Sequence, residues 1–320
     1  MGHRLPIIEH ILPFLDYCEI EKGLSNNTQK NYRQYLLLFT KWLEKTGNKS
    51  LSPEDLSPKH IWDYRLFLAR EYKSSRSKYL GKKSQNYYLI ALRALLDYFA
   101  ERDIPSLPSS KVKLAKQKSE ETISFLEARD VEKMLKIPDV SNIAGLRDKA
   151  IMELLFSSGM RISELVSLDT DQLSFLDDKS TTRTYELSIV GKGKHTRTIF
   201  ISPRAAEGLR KYLSKRKDAH EPLFINLKFS EPDKVRLTAR SIQSMVRKCA
   251  MLAGLSKKVT PHTLRHTYAT DLLSHGADLR SVQELLGHKN VSTTQVYTHV
   301  TDKRLRDIHE KFHGGKDLSK

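Results

Sequence analysis

Cysteine is nearly absent. Cys18 and Cys249 are the only two in 320 residues, too few and too far apart for a disulfide framework or a zinc knuckle. Long apolar runs are missing as well: nowhere do about 18 apolar residues follow one another, so no transmembrane helix is expected. The opening stretch MGHRLPIIEHILPFLDYCEIEKG is broken by Pro6, Glu9, Pro13, Asp16 and Glu19 and lacks the unbroken apolar core of a signal peptide. The glycines of VGKGKHTR do not have the Gly-x4-Gly-Lys-Ser/Thr spacing of a phosphate loop, which removes nucleoside triphosphate binding there. Acid is in deficit: 38 Asp+Glu face 55 Lys+Arg, a formal charge of +17. So basic a balance points to a polyanionic partner, most simply nucleic acid, and the scarcity of cysteine fits a reducing cytosol.

What is present is a chain of ordinary globular composition, 39% hydrophobic and 29% charged, long enough for two domains. Residues 1–104 read as four helices. In SNNTQKNYRQYLLLFTKWLEKTG, caps at Ser25 to Asn27 precede an apolar series at Tyr32, Tyr35, Leu36, Phe39 and Leu43, and Gly47 is the stop. LSPKHIWDYRLFLAREY starts on Ser57 with Pro58 in the first turn, and KKSQNYYLIALRALLDYFAERDI carries Tyr88, Leu92, Leu95, Leu96 and Phe99 on one side. Residues 105–122 then form a connector rich in proline, serine and lysine, with Lys111, Lys113 and Lys116 along it. It is either a solvated linker or a basic strap on a phosphate backbone.

The second domain, 123–320, reads as mainly helical with one small antiparallel sheet. YELSIVGKGKHTRTIFIS, Tyr185 to Ser202, alternates around a Gly-Lys-Gly turn as a hairpin does, and PLFIN (Pro222 to Asn226) is a candidate further strand. The fold class expected is therefore mainly α with a small sheet, in two domains.

Reactive residues recur in this second domain. Arg161 follows the helix stop Gly159 and opens the next helix, where its guanidinium would add to the anion preference of a helix N-terminus. Lys192 sits in the hairpin turn. In TPHTLRHTYATDLL, Thr260 caps, Pro261 takes the first turn, and His262, Arg265 and His266 share a face through three- and four-residue spacing. A zinc-protease helix needs Glu after its first His; Thr263 stands there, so no metal is expected. In LLGHKNVSTTQVYTHV, His288 is followed by a capping box at Ser292 and Gln295 and by Tyr297 in the second helical turn. Each feature alone has an inert reading. As a set they supply what attack on a phosphodiester requires: two arginines to clamp the phosphate oxygens, a histidine for the phenol proton, a lysine for the leaving alkoxide and a tyrosine nucleophile.

These residues resemble those of the tyrosine recombinase (integrase) family, and specifically its Xer branch. The resemblance runs through GMRISELVSL, VGKGKHTR and TPHTLRHTYATDLLSHGADLRSVQELLGHKNVSTTQVYTHV, from about Phe125 to Phe312. The first domain is similar to the family's helical core-binding domain in pattern and position. The resemblance implies a DNA clamp that cleaves and rejoins strands without cofactor, metal or ATP. Arg161 and Arg265 would hold the scissile phosphate and Lys192 would be the general acid. His262 would accept a proton or contact the phosphate, His288 would buttress it, and Tyr297 would form a 3′-phosphotyrosine bond. Family members act as tetramers through a Holliday junction, so the implied partners are double-stranded DNA at a specific site and three more protomers, identical or paralogous. A DNA translocase would be an activator.

The apolar stripe Leu305, Ile308 and Phe312 marks a terminal helix, 302–313, that either docks on a neighbouring protomer, as the family implies, or folds back on its own domain. Candidate base readers are Lys82, Lys83, Gln85 and Asn86 in the first domain and Arg240, Ser241 and Gln243 in the second. The expected role is chromosome dimer resolution. The rivals are a phage, plasmid or transposon integrase of the same chemistry, and a non-enzymatic DNA-binding protein.

Overall fold

The structure, a computed structural model, describes residues 5–73, 79–116, 125–178, 182–191, 196–229 and 231–287. The chain divides into two compact units, Met1–Glu120 and Glu121–Lys320.

The first unit is helical. Its elements are α1 (Ile11–Ile20), α2 (Asn26–Lys45), α3 (Pro58–Leu66), which runs on into a π turn at Phe67–Glu71, and α4 (Lys82–Glu101). The local signals act as expected. Ser25 accepts from the Thr28 N–H, and Ser57 forms a reciprocal capping box with His60 while Pro58 fills the first turn, where a missing N–H costs nothing. After α2 the chain reverses at Gly47, whose φ of +75° suits a residue without Cβ. The apolar stripes of α1, α2 and α4 meet in a core heavy with aromatics: Phe14, Phe39, Trp42, Tyr64 and Phe99 are buried, with Phe39 edge-on to Tyr64 at 4.9 Å.

The described part of the connector, 105–116, packs on this first unit. Val112 is fully buried in its core, and Leu107 and Leu114 pack against it. Asn86 clamps the segment through both groups of its amide: Nδ2 donates to the Ala115 carbonyl and Oδ1 accepts from the Ala115 N–H, each at 3.0 Å. Arg65 adds a bond to the Lys113 carbonyl at 2.8 Å. Asn86 is therefore withdrawn as a base reader, because it is buried and its hydrogen-bonding edge is already committed.

The second unit contains α5 (Ala128–Leu135), α6 (Ile143–Ser158), α7 (Ile162–Val166), strands β1 (Tyr185–Val190) and β2 (Thr196–Ile201), α8 (Pro203–Lys215), α9 (Pro232–Val235), α10 (Ala239–Leu252), α11 (Pro261–Ser274) and α12 (Leu279–Leu286). The strands pair antiparallel from Tyr185 opposite Ile201 to Val190 opposite Thr196, burying Tyr185, Leu187 and Ile189 on one face. The strand expected at Pro222 to Asn226 does not form. That segment makes only isolated bridges, Asp169 with Pro222 and Ile225 with Arg236, so the sheet among the described residues has two strands.

Helix α6 is the centre of this unit and packs on α8 and α11. Ala150 and Gly208 face each other where α6 and α8 approach closely, and a Cβ on Gly208 would stand 3.7 Å from the Ala150 Cα. A small cluster of Ala269, Leu273, Val282 and Leu286 seats α12 against α11. Among the described residues no helix is long and apolar enough to cross a membrane.

Candidate active site

Two glycines set up the site. Gly159 ends α6 and Gly287 ends α12, each left-handed, with φ of +58° and +64°. A helix leaves its last carbonyls without intrahelical donors, and the helix dipole makes that end negative. Around α12 the missing donors are arginines. Arg197 on β2 donates to the Leu285 carbonyl, Arg265 on α11 to Leu286 at 2.5 Å, and Arg161 before α7 to Gly287 at 3.0 Å. Three elements far apart in sequence thus converge on three consecutive carbonyls, directly ahead of His288.

Arg265 is almost wholly buried, at 3% exposure, and also donates to the Gly159 carbonyl at 2.6 Å. A guanidinium so enclosed is held in one orientation, with a planar fork of the shape that suits an anion. Arg161 is half-buried. Its expected contribution to the N-terminus of α7 is corrected by Glu164, which takes that position itself: the Arg161 N–H donates to Glu164 Oε2 at 2.7 Å, and Nη1 pairs with Oε1 at 2.9 Å. The other partner of Oε2 is Arg197 Nη2, at 2.9 Å. Glu164 is thus buried between two arginines. Burial opposes its ionisation, but the Arg161 N–H and the Arg197 charge outweigh that and hold its carboxyl below the usual range.

His262 and Arg265 lie on successive turns of α11, whose start is fixed by the Thr260–Thr263 capping box and Pro261. The His262 side chain reaches solvent, but its ring meets that of His266 edge-on at 4.2 Å. Desolvation of that ring, followed by the charges of Arg265 and Arg161, lowers the His262 pKa below its ordinary 6.5. For His266, burial first, then His262 and Arg265, lowers it to about 4. At neutral pH His262 is accordingly an uncharged imidazole, able to accept a proton.

The structure brings Arg161, His262 and Arg265 to one place. Lys192, His288 and Tyr297 lie outside the described residues, as does the 302–313 helix. Two residues missed from sequence are Glu164 and Arg197. Glu164 had a signal, since it stands three residues after Arg161, the spacing of a capping box. Arg197 had only a charge in an alternating strand.

Of the candidate base readers, Lys82 and Lys83 are exposed at the start of α4, and Gln85 donates to the Leu80 carbonyl at 2.7 Å. Arg240 and Gln243 are exposed on α10, where Ser241 is tied into the Thr238 cap. Lys111, Lys113 and Lys116 are all exposed on the segment that Asn86 clamps.

Residues 124–304 match the phage integrase family, and residues 11–103 match its N-terminal SAM-like domain. The chain belongs to the tyrosine recombinase family, in its Xer branch. It is 37% identical to tyrosine recombinase XerD of Listeria monocytogenes over 303 residues, covering 94% of this chain and 97% of that protein. With tyrosine recombinase XerC of Bacillus subtilis it shares 34% over 309 residues, 94% of each. Among solved structures, XerH bound to palindromic difH substrate in a post-cleavage complex superposes with a TM-score of 0.73 at 21% identity, covering 98% of both chains. The Tn1549 transposon integrase in complex with a circular intermediate DNA has a TM-score of 0.67 at 18% identity, covering 95% of this chain and 99% of that one. Membership makes this chain a site-specific recombinase that cleaves and rejoins DNA strands.

Proposed function

We propose that the enzyme resolves chromosome dimers in the bacterial cytoplasm by recombining a specific duplex site, with Tyr297 as nucleophile. In the cleavage step the Tyr297 oxygen forms a bond to phosphorus while the bond to the 5′-oxygen breaks. The phenol proton passes to His262 or its surroundings, and Lys192 gives a proton to the departing 5′-oxygen. A 3′-phosphotyrosyl bond remains, and a 5′-hydroxyl from the partner strand reverses the step. Arg161 and Arg265 bind the non-bridging oxygens and stabilise the charge that grows in the transition state. His288 buttresses the same phosphate.

The observation that carries this reading is the anchoring of Arg161 and Arg265 to adjacent carbonyls, Gly287 and Leu286, at the doorstep of His288. Carbonyl bonds fix the direction of each guanidinium, whose planar fork suits an anionic oxygen. The neutral His262 beside them suits proton acceptance. Identity to XerD and XerC along nearly the whole chain supports the chromosomal role over that of a mobile element.

The domains are assigned as a core-binding domain on which residues 105–116 of the basic connector pack, their exposed lysines lying along the DNA backbone, and a catalytic domain from 123. Helix 302–313 docks into a neighbour, building a tetramer of identical or paralogous protomers on two duplexes, with a DNA translocase as activator.

The test uses nicked duplexes carrying the site that the wild-type protein selects from a random-sequence library. Wild-type protein is expected to form a covalent adduct that withstands denaturation, in EDTA as well as without it. Tyr297→Phe should bind the same duplex and form none. Absence of a wild-type adduct, or an adduct with Tyr297→Phe, sinks the proposal.

A further inference from the structure

Arg197 joins two parts of the site, Glu164 and the C-terminus of α12, although it has no part in the bond making and breaking of the proposed reaction. One Nη of its guanidinium holds Glu164 Oε2, and the other holds the Leu285 carbonyl. Its aliphatic stem closes the remaining space: a Cβ on Gly287 would lie 2.6 Å from Arg197 Cδ and 3.0 Å from Nε. The side chain is only 12% exposed, and Nε is buried with no hydrogen-bond partner among the described residues. An arginine in that setting is costly, since desolvating a guanidinium opposes folding unless its bonds return the free energy. Its geometry therefore asks for a purpose.

Three parts meet at this side chain. Glu164 orients Arg161 through both its backbone N–H and its guanidinium. Leu285 and Gly287 belong to the end of α12, and His288 is the next residue in sequence. β2 pairs with β1, and Lys192 lies between the two strands in sequence. A planar fork fixed at one end by a carboxylate and at the other by a carbonyl sets the distance between them, which a single ammonium cannot do.

We infer that Arg197 is a positioning residue for strand cleavage: it clamps the C-terminus of α12 to Glu164 and so holds Arg161, which bonds to both Glu164 and Gly287, in its orientation toward the phosphate. The inference rests on the proposed catalytic role of Arg161.

Two measurements on the full-length protein decide it. In the DNA-free protein, amide hydrogen exchange across 279–287 should rise by about tenfold or more in Arg197→Ala and Arg197→Lys, while exchange in 143–158 stays as in wild type. On the library-selected nicked duplex, adduct formation should slow about 100-fold in Arg197→Ala, the scale of an ångström of misplacement, with duplex affinity within about threefold of wild type. Arg197→Lys, which keeps the charge beside Glu164 and protects folding, should slow by about tenfold. Unchanged exchange at 279–287 in Arg197→Lys overturns the clamp, whether or not the Tyr297 mechanism holds. Wild-type adduct rates in both variants overturn it too, as does a uniform rise in exchange across the catalytic unit accompanied by a matching loss of affinity. That last pattern would make Arg197 a general stabiliser.

Discussion

Gly159 and Tyr268 are in closer apposition than any side chain at position 159 would permit: a Cβ there would lie 2.3 Å from Cδ1 of the tyrosine ring. The same glycine has φ of +58° and gives its carbonyl to Arg265. One residue without a side chain thus ends α6, admits Tyr268 and anchors a proposed phosphate ligand.

Gly159→Ala is therefore expected to cost roughly 2–4 kcal/mol, combining the left-handed backbone penalty with an overpacked ring contact. Chemical denaturation should show a lowered midpoint with an unchanged slope. Adduct formation should fall further than stability alone explains, because the Arg265 anchor moves.

Arg265→Lys keeps the charge but cannot bridge the Gly159 and Leu286 carbonyls while also presenting a fork to a phosphate. Cleavage should fall about 100-fold or more at saturating DNA, on the scale of losing a charge-stabilising donor in a transition state. Single-turnover kinetics on the nicked duplex measure this directly. A near-normal rate would remove Arg265 from the phosphate.

A double-mutant cycle joins Gly287 to Arg197. Gly287→Ala alone places a methyl against Arg197 Cδ, whereas in an Arg197→Ala background that space is open and only the strain of a positive φ remains. The two substitutions should be clearly non-additive in stability, with a coupling of roughly 1 kcal/mol or more. Additivity would mean that the two groups do not touch in solution.

The histidine pair predicts an acid limb to stability. His266 titrates near 4 when folded, against an ordinary 6.5, so the unfolded chain takes up its proton first as pH falls. Stability present above pH 6.5 should be lost progressively between 6.5 and 4, by at most roughly 3 kcal/mol, an upper limit because the ring is only partly buried. His262 shifts in the same direction. His266→Phe, which keeps an aromatic edge against His262, should flatten the curve of unfolding free energy against pH.

Asn86→Ala removes both bonds that hold Ala115 and should release 105–116, at a cost of roughly 1–3 kcal/mol. Trypsin should then cut faster after Lys113 and Lys116, while the preferred DNA sequence stays the same. By contrast, Lys111→Ala with Lys113→Ala should weaken binding to all duplexes and reduce its salt dependence by about one unit for each phosphate that no longer meets a lysine.

The helices, their starts and the hairpin were legible in the sequence because their causes are local. Ser25, Ser57 and Thr260 cap the helices they precede, Gly47 and Gly159 stop theirs, and the alternation from Tyr185 to Val190 needs nothing beyond its own strand. PLFIN misled because an apolar run records burial and not a partner, and a bridge of one residue buries Leu223 and Phe224 without a strand. Asn86 misled for the same reason in reverse. A polar residue on a basic helix face reads as a surface group until a distant backbone, Ala115, arrives to bury it.

The residue types for phosphoryl transfer, and their order, are properties of the sequence alone. The tertiary structure decided what orients them. Arg161, Arg197 and Arg265 are scattered in the chain and come from three different elements, yet each satisfies one of three consecutive carbonyls at the end of α12. A helix terminus has a fixed number of unsatisfied acceptors and a negative end, but which donors reach it depends on how distant segments pack. That convergence, with Glu164 buried inside it, is information no local pattern carries.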